Sequence, residues 1–186
     1  EDKMSRVGIF LADGFEEIEG LTVVDILRRA GIDISMISIN GKKKVTGAHG
    51  IALDTDEDIV QCDPDKLDML VLPGGMPGTT NLAACEKLTE ALKKADQEKR
   101  GIAAICAAPS VLGDLGFLKG KKAVCYPGFE SRLTGVEVLA VPVVTDGHIT
   151  TSRGMGTAIA FALELTKRLK DEETAKQVSR SILYNV

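Results

Sequence analysis

Residues 102–112 read Ile102-Ala103-Ala104-Ile105-Cys106-Ala107-Ala108-Pro109-Ser110-Val111-Leu112 and place a cysteine where an apolar strand passes into a helix. Pro109 suits the first turn of that helix, where its missing N–H costs nothing. A sulfur at this junction faces free backbone N–H groups and the positive end of a helix dipole. Both favour the thiolate, so we predict that Cys106 is a nucleophile with a depressed pKa. The alternative is a small buried hydrophobic residue, the usual role of free cysteine.

Strands and helices alternate on both sides of this junction. Strands are predicted over 6–12, 32–39, 67–72 and 102–105, and around Val143 and Ile149, with a hairpin over 45–54. Helices are predicted over 16–30, 82–97 and 156–169, with a last helix capped by Asp171. Such alternation implies right-handed crossovers and a mostly parallel sheet covered on both faces, which is an α/β fold.

Three loops are expected to meet at one edge of this sheet. In doubly wound sheets the site lies beyond the carboxyl ends of the strands, where the strand order reverses. The loops over 13–19, 73–78 and 106–109 all follow predicted strands. Folding should therefore gather them into one cleft around Cys106.

Glu19 is the second candidate for a role in chemistry. It heads an apolar stripe at helical spacing, formed by Val23, Ile26, Leu27 and Ala30. A carboxyl group on a buried face must be paired or protonated. Beside Cys106, it could donate a hydrogen bond to the sulfur or act as a general acid and base. The alternative is a first-turn glutamate that serves the helix dipole, the role expected of Glu16 and Glu17.

The glycine pair in Pro73-Gly74-Gly75-Met76-Pro77-Gly78 is the third candidate. Glycine allows a close approach of the backbone, so the N–H groups of Gly75 and Ala107 are expected to form an oxyanion hole. A plain turn is the alternative. The pattern is not a phosphate loop, because the Walker lysine and serine are missing.

Histidine is scarce, and the sequence shows no obvious cysteine–histidine pair. His148 lies in the predicted turn Asp146-Gly147-His148, where it is expected to be solvated. His49 lies in the other predicted hairpin and either reaches the cleft of a neighbouring subunit or stays on the surface.

The bulk composition predicts one globular domain over 4–186. Residues 1–3 precede Met4 and are interpreted as additions before a native start. The chain has 23 basic and 27 acidic residues, with the basic ones scattered, which does not favour nucleic acid. No stretch has membrane length and no signal peptide is visible, so a cytoplasmic protein is expected. Four widely separated cysteines predict neither a disulfide framework nor a zinc site. No metal or cofactor is expected.

Four segments carry a family resemblance, namely 14–19, 72–75, 105–109 and 151–157. In order and type they resemble the ThiJ/PfpI superfamily, most closely its Parkinsonism-associated branch, DJ-one. The resemblance implies a flavodoxin-like three-layer sandwich, similar to class I glutamine amidotransferases, and a homodimer. It also implies an elbow cysteine, Cys106, with a protonated glutamate partner, Glu19, and Gly74, Gly75 and Ala107 around the oxyanion.

Two departures from the family pattern bear on mechanism. Well-studied members place a histidine near the cysteine where this chain has Tyr126, and a phenol with a pKa of ~10 is no base at neutral pH. Tyr126 either orients a substrate oxygen or packs as an aromatic ring. The peptidase branch resembles a cysteine followed by histidine, so Ala107 argues against peptidase activity. Arg153 either binds an anionic substrate group or is structural.

Three functions remain open at this stage. The resemblance implies an enzyme of the glyoxalase III or deglycase type, in which Cys106 adds to a small reactive carbonyl and Glu19 carries the proton. It equally implies an oxidative-stress sensor or chaperone, in which an oxidant converts Cys106 to a sulfinate. Thiazole monophosphate synthesis is a further alternative and rests on the ThiJ name alone.

Overall fold

The computed structural model describes residues 4–185, so residues 1–3 and Val186 lie outside the described part of the chain. The strands, in chain order, are β1 (Arg6–Leu11), β2 (Asp33–Ser38), β3 (Lys44–Thr46), β4 (Ala52–Asp54), β5 (Glu57–Asp58), β6 (Met69–Leu72), β7 (Gly101–Ile105), β8 (Lys122–Ala123), β9 (Glu137–Val138), β10 (Val143–Asp146) and β11 (Ile149–Ser152). The helices are α1 (Glu17–Arg29), α2 (Gly78–Ala84), α3 (Glu86–Gln97), α4 (Pro109–Asp114), α5 (Ala158–Leu169) and α6 (Glu172–Ser181).

The central sheet has seven strands in the order β10-β11-β7-β6-β1-β2-β5. All neighbouring strands are parallel except β10 and β11, which form an antiparallel pair at one edge. From β1 the chain first extends the sheet on one side, through β2, and then returns to add β6 on the other side. The strand order therefore reverses between β1 and β6, which fixes where a cleft opens.

Side chains alternate along the strands and build one core on each face of the sheet. Ile9 and Leu11 of β1 pack with buried residues of α1, α5 and α6, whereas Phe10 between them packs with buried residues of α2, α3 and α4. This period-two alternation places a helical layer on both faces. The predicted three-layer α/β fold with a mostly parallel sheet is confirmed.

The helix predicted over 82–97 is wrong in one respect, because two helices occupy this region. α2 already begins at Gly78, and Cys85, with φ −81° and ψ 103°, separates it from α3. In one straight helix, Leu82 would point about 120° away from Leu88 around the axis. The break lets both leucines enter the same core.

Smaller differences concern short elements. The hairpin predicted over 45–54 is confirmed as the antiparallel pair β3–β4. The helix predicted over 156–169 begins at Ala158, after a 3₁₀ turn over Met155–Thr157. Strands β5, β8 and β9 were not predicted, since two residues cannot show an alternating pattern. In the described residues no helix is both long and apolar enough to cross a bilayer.

Candidate functional site

Three loops meet at the carboxyl ends of β1, β6 and β7, as the sequence predicts. The Glu16 N–H donates to the Gly74 carbonyl at 2.8 Å, and the Gly78 N–H donates to the Gly14 carbonyl at 3.1 Å. These backbone bonds join the loop after β1 to the loop after β6. The turn after β7 lies beside them and carries Cys106.

Cys106 occupies a strained turn between β7 and α4. Its φ of 67° lies in the left-handed region, which few residues with a side chain adopt. Two hydrogen bonds hold the turn: the Cys106 N–H donates to the Ser152 carbonyl at 3.0 Å, and the Tyr126 N–H donates to the Cys106 carbonyl at 2.8 Å. Strands and loops on both sides thus fix the strand–turn–helix elbow.

Two backbone N–H groups, from Gly75 and Ala107, lie near the Cys106 sulfur and favour its thiolate. Glycine is required at both positions of the Gly74-Gly75 pair. A Cβ atom at position 74 would lie 2.6 Å from Cys106 Cβ and 2.7 Å from Glu19 Oε1. Gly75 has a φ of 93°, and a Cβ there would lie 2.3 Å from the Glu16 nitrogen. The absence of side chains lets this loop approach the sulfur and the carboxyl group together.

Glu19 lies under the sulfur and is buried, with 1% of its surface exposed. The Gly74 N–H donates to Glu19 Oε1 at 3.1 Å. The carboxyl group also hydrogen-bonds the Cys106 side chain. Among the described residues Oε2 has no partner of ordinary geometry, so the link to the sulfur is looser than a standard hydrogen bond. The predicted burial of Glu19 beside Cys106 is confirmed.

The two groups titrate as a pair, and the predicted depression of the Cys106 pKa is wrong. Burial raises the pKa of the Glu19 carboxyl from 4.5 to about 7, and the nearby Glu16 charge adds to this rise. Burial and the Glu19 carboxylate raise the pKa of the Cys106 thiol to about 12, which outweighs the two backbone N–H groups. At neutral pH the pair therefore holds between one and two protons.

Glu17, expected only to serve the helix dipole, instead fastens the β3–β4 hairpin to α1. Its side chain is 4% exposed, and Oε1 accepts hydrogen bonds from the N–H groups of His49 at 2.7 Å and Ile51 at 3.4 Å. His49 Nδ1 lies 2.9 Å from Glu17 Oε2 and 3.4 Å from Glu16 Oε2. His49 is thus bound to its own chain. Glu16, Glu17 and His49 are the cluster of ligand atoms found in residues 4–185. These atoms already bond one another and the backbone, so we assign no metal to them.

The remaining predicted residues lie further from the sulfur. The Tyr126 backbone holds the elbow, while its side chain is half exposed and approaches Gly154. Arg153 is half-buried, and its charge acts on Cys125 and Glu130. His148 is not solvated as predicted, since its side chain is 9% exposed and Nε2 lies 2.7 Å from Asp96 Oδ1. The packing of α3 against the turn before β11 explains this burial.

Comparison with known proteins was made on sequence and on structure. The model of the DJ-1/PfpI family matches residues 5–168. Protein DJ-1 homolog A of Arabidopsis thaliana is 39% identical over 176 residues, or 93% of this chain, which spans only 45% of that plant protein. A protein of Pyrococcus abyssi named as a deglycase is 34% identical over 167 residues, covering 89% of this chain and 99% of its own length. The structure of oxidized Toxoplasma gondii DJ-1 superposes with a TM-score of 0.94 at 34% identity, covering 98% of this chain and all of that one.

Proposed function

The chain belongs to the DJ-1/PfpI family, within its DJ-1 branch, and from that premise we propose that it acts on small reactive carbonyls through Cys106 and Glu19. The observation that carries the proposal is the pair itself. A carboxyl group with a pKa of about 7 lies buried against a sulfur whose thiolate is favoured by the backbone N–H groups of Gly75 and Ala107. A general acid and base works best when its pKa is near the operating pH. One relative, from Pyrococcus abyssi, is named as a deglycase.

The first step is addition of the thiol to an aldehyde. Because the thiol pKa is raised to about 12, little free thiolate is available, and the proton must leave as the sulfur attacks. The ionised Glu19 carboxylate takes that proton while the C–S bond forms. The former carbonyl oxygen gains negative charge and accepts hydrogen bonds from the N–H groups of Gly75 and Ala107.

The second step moves a proton within the bound adduct. For a 1,2-dicarbonyl compound, the protonated Glu19 first neutralises the oxyanion, which gives a hemithioacetal. Glu19 then removes the proton from the carbon bound to sulfur and returns it to the neighbouring carbonyl carbon, while the hydroxyl proton of the hemithioacetal passes to the oxygen of that neighbouring carbonyl. The product is a thioester of a hydroxy acid. Water hydrolyses this thioester, which releases the acid and restores the thiol, so that the net reaction is addition of one water molecule. No oxidant is consumed.

Two groups, Tyr126 and Arg153, are proposed to orient the substrate at the mouth of the site. Tyr126 is half exposed, and its backbone holds the elbow, so its phenol is a candidate partner for a substrate oxygen. Arg153 is a candidate for binding an anionic substrate group. Replacing Tyr126 by phenylalanine should raise KM and leave kcat within about threefold, because the phenol binds rather than transfers protons.

Methylglyoxal turnover by purified protein tests the proposed reaction. Loss of the dicarbonyl and formation of lactate are both measured, so that simple trapping is distinguished from turnover. Cys106→Ser should abolish lactate formation, and Glu19→Gln should slow it about a hundredfold or more, since an amide cannot titrate. Cys85→Ser, at a partly exposed cysteine away from the site, is the matched control. Lactate formation that survives Cys106→Ser contradicts the proposal.

A second function, oxidation sensing, is favoured by the same pair. The solved Toxoplasma gondii DJ-1 structure is described as oxidized. In this chain a sulfinate on Cys106 would accept hydrogen bonds from Gly75, Ala107 and a protonated Glu19, and it would need no histidine. Peroxide treatment should add two oxygen atoms to Cys106 before any other cysteine, as measured by peptide mass spectrometry. Earlier oxidation of Cys62 or Cys85 contradicts this second function.

We further propose that the chain forms a homodimer in a reducing, cytoplasmic compartment. Ile18, Ile51 and Ile159 are large apolar side chains that line one exposed groove. Burying such a groove against a second copy is favourable. All four cysteines are free, as expected in a reducing compartment. Sedimentation of Ile51→Glu should show monomer, and Val60→Glu, at an exposed valine outside the groove, should not. A dimer that survives Ile51→Glu places the interface elsewhere.

A further inference from the structure

His49 is the titratable side chain through which the β3–β4 hairpin meets the first turn of α1. Its Nδ1 atom lies between two carboxylates, 2.9 Å from Glu17 Oε2 and 3.4 Å from Glu16 Oε2. Glu17 is fixed in place by the backbone N–H groups that it accepts from the hairpin. At position 47, a Cβ atom would lie 2.3 Å from the Glu17 carboxyl carbon, so the hairpin closes tightly around that side chain. The imidazole is therefore held at a defined place although the His49 side chain is 67% exposed.

Glu16 connects this histidine to the reactive pair. It lies one helical turn before Glu19, and its charge acts on the Glu19 carboxyl. Its N–H donates to the carbonyl of Gly74, whose own N–H donates to Glu19 Oε1. The Glu16 side chain is only 15% exposed, so water screens its charge incompletely.

In the described part of the chain, few charged groups face either His49 or Glu19. Glu16, the N-cap of α1, and Glu17, the first residue of α1, face His49. Glu19 is faced by Glu16 from its own helix and by Cys106 from the turn after β7, while the loop after β6 contributes the Gly74 N–H. Glu16 is thus the group that the histidine and the reactive pair share.

We propose that His49 is a positioning residue that, when protonated, offsets the Glu16 charge and so sets the pH at which Cys106 becomes reactive. The uncompensated Glu16 charge favours the protonated form of Glu19. An imidazolium beside Glu16 weakens that effect, so Glu19 releases its proton at lower pH. The pair then enters its single-proton form at lower pH, and in that form the ionised Glu19 carboxylate can take the thiol proton as the Cys106 sulfur attacks.

His49 and Glu19 both change their charge near neutral pH. The carboxylates of Glu17 and Glu16 raise the pKa of the His49 imidazolium above 6.5. The pKa of Glu19 is about 7. The His49 imidazolium therefore keeps its charge to higher pH than a free histidine does, toward the range in which Glu19 ionises. This inference rests on the proposed role of Cys106 as the reactive thiol, but not on turnover of carbonyls.

Alkylation of Cys106 by iodoacetamide, followed by peptide mass spectrometry from about pH 5.5 to about pH 9, tests the inference. In His49→Gln the midpoint of the rate profile should rise by about 0.2–0.7 pH unit, the effect of losing one partly screened charge. His49→Lys keeps a cation and should leave the midpoint at or below that of the native chain. The rise should shrink at about 1 M salt.

His148→Gln is the matched control, because His148 also pairs with a carboxylate, Asp96, but lies at the opposite ends of the strands. Its profile should coincide with the native one. Sedimentation and circular dichroism of each variant verify that assembly and folding are intact. Coincident profiles for His49→Gln and the native chain overturn the inference, as does an equal rise in His49→Lys, which would assign the effect to packing. Alkylation needs no turnover, so a native chain that fails to convert methylglyoxal would refute the proposed reaction and leave this result standing.

Discussion

Replacing Glu19 by glutamine should remove a pH-dependent cost of folding. The pKa of the Glu19 carboxyl is about 7 in the folded chain, where the group is buried, and 4.5 in the unfolded chain, where it is not. Between these values the folded chain holds a proton that the unfolded chain has released, so stability falls as pH rises through this window. Each pKa unit corresponds to about 1.4 kcal/mol. Ionising Glu19 above its folded pKa therefore costs the native state about 3 kcal/mol.

Urea denaturation at about pH 5 and about pH 8 measures this cost. The glutamine keeps an oxygen for the Gly74 N–H and an amide for the sulfur, but carries no charge. The free energy of unfolding of Glu19→Gln should exceed that of the native chain at about pH 8, and this excess should be about 2.5 kcal/mol larger than at about pH 5, where part of the cost is already present. Glu137→Gln, at an exposed position on β9, controls for loss of any carboxylate. An unchanged pH dependence in Glu19→Gln would refute the claim that burial holds this proton.

Gly74→Ala should slow alkylation of Cys106 more than about tenfold and lower stability by about 1–3 kcal/mol, because the new Cβ would force apart the sulfur and the Glu19 carboxyl. Gly156→Ala, where a Cβ meets nothing within 4 Å, should change neither, and equal alkylation rates in the two variants would contradict the packing argument. Glu17→Gln should lower the free energy of unfolding at neutral pH by about 1–3 kcal/mol. Hydrogen bonds hold the pKa of Glu17 below 4.5, so this difference should fade as pH falls below that value, and a constant difference would contradict it.

The position of the site could be predicted because it depends on where individual strands end and where one helix begins. A strand that ends in Cys106, a strand that ends in Gly74-Gly75 and a helix that begins near Glu19 must meet where the strand order reverses. The burial of Glu19 was also predictable, since it heads the apolar stripe of α1. These inferences need only strand order and helical periodicity.

The charge state of the site could not be predicted in the same way. The position of Cys106 at a helix start favours the thiolate, but the prediction omitted how deeply the loops bury the sulfur and that Glu19 brings a second negative charge to it. Both depend on residues that are distant in sequence. The role of Glu17 in holding the β3–β4 hairpin on α1 was not predicted, for a related reason. Its partners, His49 and Ile51, belong to a hairpin whose docking on α1 leaves no signal in the spacing of the helix.

The break between α2 and α3 at Cys85 could not be predicted from helical periodicity either. The helical spacing that predicted one helix over 82–97 is carried by Leu88, Ala91, Leu92 and Ala95, which all follow Cys85, so it does not show where the helix begins. The break appears only when Leu82 and Leu88 must fill the same core. Predicted helical spacing therefore located the buried residues correctly but not the path of the backbone that delivers them.

The two borders of the central sheet have a consequence for how the chain behaves at high concentration. One border is β5, which has only two residues, and the other is β10, which has four and turns back antiparallel to β11. Unpaired strand edges are templates on which other chains assemble into fibrils, and short edges limit the number of hydrogen bonds that an incoming strand can form. The parallel strands β1, β6 and β7 lie inside the sheet, whereas β2 is paired with β5 only at Ile37 and Ser38. The native fold thus keeps β1, β6 and β7 from pairing with strands of other chains, and the outer edge of β2 is where an incoming strand would find the most unpaired backbone.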